Sequence, residues 1–98
     1  MTPRFSVRSI PLFERLFRKL LKAHPELRAI RERVGAILET DPYNQSRAHH
    51  IKKLDAVPPG GGQWRPSLGR FRFRYNIYGR DVVLQFCGLR REDTYRER

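Results

Sequence analysis

The sequence predicts an α+β fold, in which an N-terminal helical hairpin packs on one face of a small, mostly antiparallel sheet of about four strands. Apolar residues recur at helical spacing between positions 12 and 38. From position 70 to 77, basic or polar residues alternate strictly with aromatic or apolar ones, as in a half-buried strand. The predicted order is strand, two helices, three strands, and the 98 residues suffice for one domain, 1–98.

The N-terminal half contains the first strand and both helices. Alternation over residues 4–10 predicts a short first strand, and we expect the sheet to have a mixed edge. The first helix should end near Ala23, because Pro25 disfavours helical geometry at the residue before it. Pro25 suits the first turn of a second helix, and Asp41-Pro42 ends that helix.

The C-terminal half reads as β-structure after a loop at residues 58–62 that is rich in proline and glycine. The turn residues Gly79-Arg80-Asp81 separate the last two strands. Pro66 interrupts the first of three strands and predicts an edge position or a bulge there. The predicted strands span residues 63–68, 71–78 and 82–87.

Basic residues dominate the composition, with 21 Lys and Arg against 10 Asp and Glu, for a net charge of +11. Such a charge predicts an anionic partner, which is a nucleic acid, an acidic protein or an anionic membrane surface. Arg70, Arg72 and Arg74 would stand in a row on the face of their strand opposite Phe71 and Phe73. Fixed guanidinium groups on a rigid sheet suit a phosphate backbone.

Cys87 is the only cysteine and lies in an apolar run, so we expect a small buried hydrophobe and a reduced, cytoplasmic setting. One cysteine and three histidines without paired spacing do not predict a metal site. We expect no secretory signal and no membrane segment, because no apolar run approaches the roughly 18 residues that span a bilayer.

Five short motifs, in this order and spacing, resemble the RelE/ParE superfamily of toxins from bacterial toxin–antitoxin pairs. The likeness spans nearly the whole chain. The motifs are Asp41-Pro42 after the second helix, Lys52-Lys53-Leu54 before the glycine-containing loop, Trp64-Arg65 at a strand start, Gly69-Arg70-Phe71-Arg72-Phe73-Arg74-Tyr75, and the closing Gly88-Leu89-Arg90-Arg91-Glu92-Asp93-Thr94-Tyr95.

The resemblance implies one of two activities and a protein partner. RelE-type members are endoribonucleases (mRNA interferases) that cut messenger RNA, often on the ribosome, and so inhibit translation. They need no metal or organic cofactor, since the ribose 2′-hydroxyl attacks the adjacent phosphate to give a 2′,3′-cyclic phosphate. ParE-type members instead poison DNA gyrase. A cognate antitoxin silences both types.

The resemblance also implies the site. Arg72 would stabilise the phosphate, with Arg90 and Tyr95 completing the catalytic group. Exposed arginines are often ordinary surface residues that contact only water, and this alternative applies to each of these arginines. Further RNA and phosphate contacts are expected from Lys52, Lys53, Arg65, Arg70, Arg74 and Arg91.

The general base is the least defined part of this site. Arginine stays protonated at neutral pH, whereas histidine has a pKa suited to proton transfer. Some family members place a catalytic histidine just before the Lys52 region, where this chain has His49 and His50; His50 is our candidate. Gln63 and Ser67 replace basic residues of many RelE-type members, which favours the gyrase alternative. A non-catalytic RNA-binding module is a third interpretation.

Overall fold

The computed structural model describes residues 4–54 and 62–89, and its elements follow the predicted order. Helix α1 ends at Ala23 as expected, whereas α2 begins two residues after Pro25. Among the described residues, no helix is long and apolar enough to cross a membrane. The elements are β1 (Ser6–Ser9), α1 (Pro11–Ala23), α2 (Leu27–Thr40), β2 (Ile51–Lys53), β3 (Trp64–Leu68), β4 (Phe71–Tyr78) and β5 (Asp81–Leu89).

In the part of the chain that the structure describes, the sheet has five strands in the order β1-β5-β4-β3-β2. Strand β1 is parallel to β5, and the other neighbouring pairs are antiparallel. The α+β class, the helical hairpin and the mixed edge are therefore confirmed. Strand β2 is an addition to the predicted strands, because its three residues are too few to show an alternating pattern.

Pro66 does not lie at the sheet edge, so the predicted edge position of β3 is wrong. Strand β2 pairs along the outer side of β3 and places Ile51 opposite Pro66. The registered pairs between β3 and β4 lie on either side of this proline, at Trp64 and at Ser67 and Leu68. The N–H of the next residue, Ser67, donates to the His50 carbonyl beside β2, so the donor that Pro66 lacks would face β4, and pairing with β2 loses no ladder bond.

The core lies between the two helices and one face of the sheet. Phe71, Phe73 and Tyr75 of β4 are at most 1% exposed, as the alternation predicted. Cys87 is buried as well, and this burial raises the pKa of its thiol to about 11. The helices contribute Phe13, Phe17, Leu27, Val34 and Leu38.

Within the described residues, the tight hairpins β3–β4 and β4–β5 each use a glycine to turn the chain. Gly69 and Gly79 have φ values of +60° and +61°, and each is followed by an arginine before the next strand begins. Strand β5 also contains a bulge, since Arg74 pairs with Phe86 while Tyr75 pairs with Leu84. The extra residue changes which β5 side chains face the helices, so Leu84 and Cys87 are both buried.

A polar cluster joins the two helices to β1. Arg31 on α2 donates two hydrogen bonds to the Glu14 carboxylate on α1, at 2.9 and 2.6 Å. The Ser9 hydroxyl donates a third. The Arg31 guanidinium also lies over the rings of Phe13 and Phe17, 5.0 and 4.5 Å from their centroids. The bonds from Arg31 and Ser9 outweigh burial and lower the pKa of Glu14 to about 2.

The Glu14→Gln substitution should make folding stability less dependent on acidity. Because the folded pKa of about 2 lies below the ordinary 4.5, the stabilisation is complete above pH 4.5 and is lost as the pH falls towards 2. The variant should be less stable at neutral pH and show a flatter decline between pH 5 and 2, measured by urea unfolding. Glu32→Gln is the control, since this exposed glutamate forms no ion pair with another described residue. Equal slopes for wild type and Glu14→Gln would contradict the assignment.

Candidate functional site

The sheet face opposite the helices carries a group of basic side chains. Alternation along β4 places Arg72 and Arg74 there, away from the buried aromatic residues. Directly opposed residues share a face, and Ser67 pairs with Arg72 while Lys52 pairs with Arg65. We call this surface, with Lys52, Arg65, Ser67, Arg72 and Arg74, the basic face.

One end of the basic face forms an open cleft of about 550 Å³. The cleft brings together three predicted site residues, His50, Lys52 and Arg65, and it places Ser67 beside them. Arg72 adjoins the cleft as the cross-strand neighbour of Ser67. The lining residues are His49, His50, Ile51, Lys52, Arg65, Ser67 and Gly69.

Arg65 carries a buried Nε–H that has no hydrogen-bond partner among residues 4–54 and 62–89. Buried donors of this kind are rare in folded proteins, because leaving one unpaired costs about 1–3 kcal/mol. The Arg65 side chain also lines the cleft, where its guanidinium group can bind an anionic oxygen. Arg65 is therefore suited to binding a phosphate.

The two adjacent histidines have different surroundings. The His49 imidazole lies 3.7 Å from the Asp41 carboxylate and is about one-third exposed. The His50 side chain is exposed and makes no hydrogen bond or ion pair with another described residue. Its backbone carbonyl accepts a hydrogen bond from the Ser67 N–H at 2.9 Å. The His50 imidazole is thus available to a ligand in the cleft. The His49 imidazole instead lies beside Asp41 in the loop that follows α2.

Just before β3 begins, the chain at Gly62 lies over β4 on the basic face. The Asn76 side-chain oxygen accepts the N–H groups of Gly62 at 2.8 Å and Gln63 at 3.0 Å. Arg74 donates from Nε to the Gly62 carbonyl at 3.0 Å. Gly62 has a φ of +82°, and a Cβ there would lie 3.1 Å from the Arg74 Cβ. Arg74 and Asn76 thus hold Gly62 and Gln63, which we call the crossing segment. Nothing in the sequence indicated this role of Asn76.

The remaining predicted residues are more scattered. Lys53 pairs with Trp64 on the helix-covered side, with its Nζ 5.5 Å from the Trp64 ring, so it does not join Lys52. Arg70 is exposed in the β3–β4 turn, next to the cleft residue Gly69. Arg90, Arg91 and Tyr95 lie outside the described residues.

Comparison with known proteins gives one informative match. No family model and no curated protein matches the sequence. Among solved structures, a chain of the archaeal RelE–RelB complex from Pyrococcus horikoshii OT3 matches with a TM-score of 0.60 and 22% sequence identity. The match covers 94% of this chain and 99% of that chain.

This chain has a RelE-like fold. The identity is low, so the likeness speaks for the fold alone, and it confirms at that level the resemblance indicated by the motifs. The cleft with His50, Lys52 and Arg65 lies on the sheet face of this fold that the helices do not cover.

Removing the Asn76 side chain should release the crossing segment. Asn76→Ala leaves the N–H groups of Gly62 and Gln63 without their acceptor, so we expect a loss of about 2–3 kcal/mol in the free energy of unfolding. Urea unfolding measures this loss. Tyr78→Phe is the matched control, since it removes only the 3.3 Å bond that the Asn76 amide donates to the Tyr78 hydroxyl, and it should cost under about 1 kcal/mol. Similar small losses for both variants would show that Asn76 does not anchor the segment.

Proposed function

We propose that this chain is the toxin of a toxin–antitoxin pair, and that it inhibits translation by cutting messenger RNA without a metal. The observation that carries the proposal is the cleft in which His50, Lys52 and Arg65 meet beside Arg72 on the basic face. The RelE-like fold supports the toxin part of the proposal. The nuclease part depends on the chemistry of the cleft.

The proposed reaction is an attack of the ribose 2′-oxygen on the adjacent phosphorus. His50 accepts the 2′-hydroxyl proton, the new P–O bond closes a 2′,3′-cyclic phosphate, and the bond to the 5′-oxygen breaks. Lys52 gives a proton to the departing 5′-oxygen, so that one proton is taken and one is returned. Exchange with solvent then restores both side chains. No oxidant, metal or cofactor enters this balance.

Arg65 and Arg72 would stabilise the extra negative charge that develops on the phosphoryl oxygens. Guanidinium groups suit this task because they remain charged at all relevant pH values and bind two oxygens at once. The cross-strand pairs that join Lys52 to Arg65 and Ser67 to Arg72 hold the cations on adjacent rigid strands. A rigid sheet limits the reorganisation needed at the moment of reaction.

The other predicted residues take supporting parts in the proposal. Arg70 at the exposed turn would extend the contact to a neighbouring phosphate. Arg90 and Tyr95 would complete the catalytic group, with Arg91 as a further phosphate contact, as the family resemblance implies. The Arg74 side chain is hydrogen-bonded to the Gly62 carbonyl, and the Lys53 ammonium lies over the Trp64 ring. Neither side chain is therefore needed for the proposed catalysis.

The proposed partner is an antitoxin with an acidic or amphipathic segment that covers the toxin. The net charge of +11 attracts such a segment, and the structurally similar chain was solved in a RelE–RelB complex. An apolar groove between α1 and β5 suits the hydrophobic side of this segment. Phe86, which lines the groove with Leu16 and Leu20, is 41% exposed.

The gyrase alternative is less favoured, because the structural match is to a RelE–RelB complex. It nevertheless makes a distinct experimental prediction. A gyrase poison would block supercoiling and raise the DNA-damage response while transcripts stay whole. A non-catalytic RNA-binding module would bind transcripts and leave them uncut.

Arg72→Ala should relieve toxicity and slow RNA cleavage by about 100-fold or more, as expected when a main stabiliser of transition-state charge is lost. Expression of the wild type should stop translation and give transcripts with 2′,3′-cyclic phosphate ends, mapped by end-specific ligation and sequencing. Arg72→Lys keeps the charge but cannot bind two oxygens with one planar group, so its cleavage rate should lie between those of the wild type and Arg72→Ala.

Arg15→Ala is the control for charge, because this exposed α1 arginine lies on the opposite side of the sheet from Arg72. Thermal melting of each variant establishes that the fold is intact. Whole transcripts together with blocked supercoiling would replace the nuclease proposal by the gyrase alternative. Bound but uncut RNA would identify a binding module instead.

A further inference from the structure

The loop between α2 and β2 is held by a side chain that grips the residue preceding His50. The Asn44 Oδ1 accepts the N–H of His49 at 3.2 Å, and the Asn44 Nδ2 donates to the carbonyl of His49 at 2.9 Å. One side-chain amide therefore satisfies both backbone groups of a single residue. This pairing fixes the backbone of His49 as a neighbouring strand would.

The side chain at position 44 has to be an amide for this arrangement. Asn44 has a φ of +53°, in the left-handed region that asparagine tolerates better than most residues. An aspartate would keep the acceptor and lose the donor, whereas an alanine would lose both. The position thus combines a backbone requirement with a hydrogen-bonding requirement.

A second cluster holds Asn44 itself in place. The Asn44 N–H donates to the Asp41 carbonyl at 3.0 Å. The Asp41 carboxylate accepts the Gln45 N–H at 2.8 Å and the Ser46 hydroxyl at 2.6 Å. Burial raises the pKa of this carboxyl, but the bonds from Ser46 and Gln45, with nearby His49, bring the pKa below its ordinary value. The carboxylate therefore stays charged and keeps the loop closed at neutral pH.

The following residues are held from the opposite side. The His50 carbonyl accepts the Ser67 N–H of β3, and β2 begins directly afterwards at Ile51. The backbone around His50 is therefore bracketed by Asn44 on one side and by Ser67 on the other. Only the torsions of its own side chain remain to direct the exposed imidazole within the cleft.

We propose that Asn44 is a positioning residue that fixes His50 for proton transfer in the cleft. This inference rests on the proposed function, because it requires His50 to act as the base. General bases are sensitive to placement, and a displacement of about 1 Å can cost about 100-fold in rate. The side chain of Asn44 acts through the backbone of His49 and does not touch the RNA.

The test is a double-mutant cycle between Asn44→Ala and His50→Gln, with single-turnover cleavage of a short RNA as the measurement. We expect about a 100-fold loss or more for His50→Gln. For Asn44→Ala we expect about a 10-fold loss in the maximal single-turnover rate constant, with little change in the protein concentration that gives half of that rate. On the His50→Gln background, Asn44→Ala should add no more than about a twofold loss, because its effect passes through His50.

Two further variants keep the test decisive. Asn44→Asp keeps the acceptor for the His49 N–H and is nearly the same shape, so it should fold and show an intermediate loss. Gln45→Ala alters an adjacent exposed side chain and leaves the backbone bond to Asp41 in place, so the cleavage rate should not change. Thermal melting of all variants separates lost folding from lost positioning.

The outcomes distinguish the two proposals. If His50→Gln cleaves at the wild-type rate, His50 is not the base, and the proposed mechanism fails together with this inference. If His50→Gln is slow but Asn44→Ala lowers its rate by the same factor as in the wild type, Asn44 does not act through His50. The proposed function would then stand without this inference.

Discussion

The burial of the β4 aromatic residues is the constraint on which the rest of the molecule depends. Phe71, Phe73 and Tyr75 can lie under the helices only if the side chains between them point to the other face of the sheet. A shift of one residue in the β4 register would bury guanidinium groups and expose phenyl rings, at a cost of many kcal/mol. The hydrophobic core therefore fixes the direction of Arg72 as firmly as it fixes Phe73.

The burial of these aromatic residues also places several cations together on the basic face, which the helices do not cover. Opposed cations such as Lys52 and Arg65 repel each other, and such a pair lowers the stability of a sheet. The compensation comes from elsewhere, in the close packing of the core and in the pairing of Glu14 with Arg31 between the helices. A local arrangement that opposes stability is typical of a functional site, and here an anionic ligand would relieve it.

The loop that follows α2 connects this core to the cleft. Its start is fixed by the buried Tyr75, whose hydroxyl donates to the Pro42 carbonyl. Burial, with a smaller contribution from Asp41, raises the pKa of Tyr75 and keeps its hydroxyl protonated as a donor. The end of the loop is fixed by Asn44 and by the bond from Ser67 to His50. A residue of the central strand thus sets the starting point of a loop that ends in the candidate site.

The sequence by itself determined the α+β class, the helical hairpin and the two faces of β4 through periodicity within short segments, and the burial of Cys87 through the apolar run that contains it. Only the tertiary structure decided that β2 pairs with β3, that Lys52 and Lys53 lie on opposite faces, and that Arg74 holds a crossing segment. Pairing register and contacts between distant residues depend on the packing of the whole chain. Local composition does not contain them.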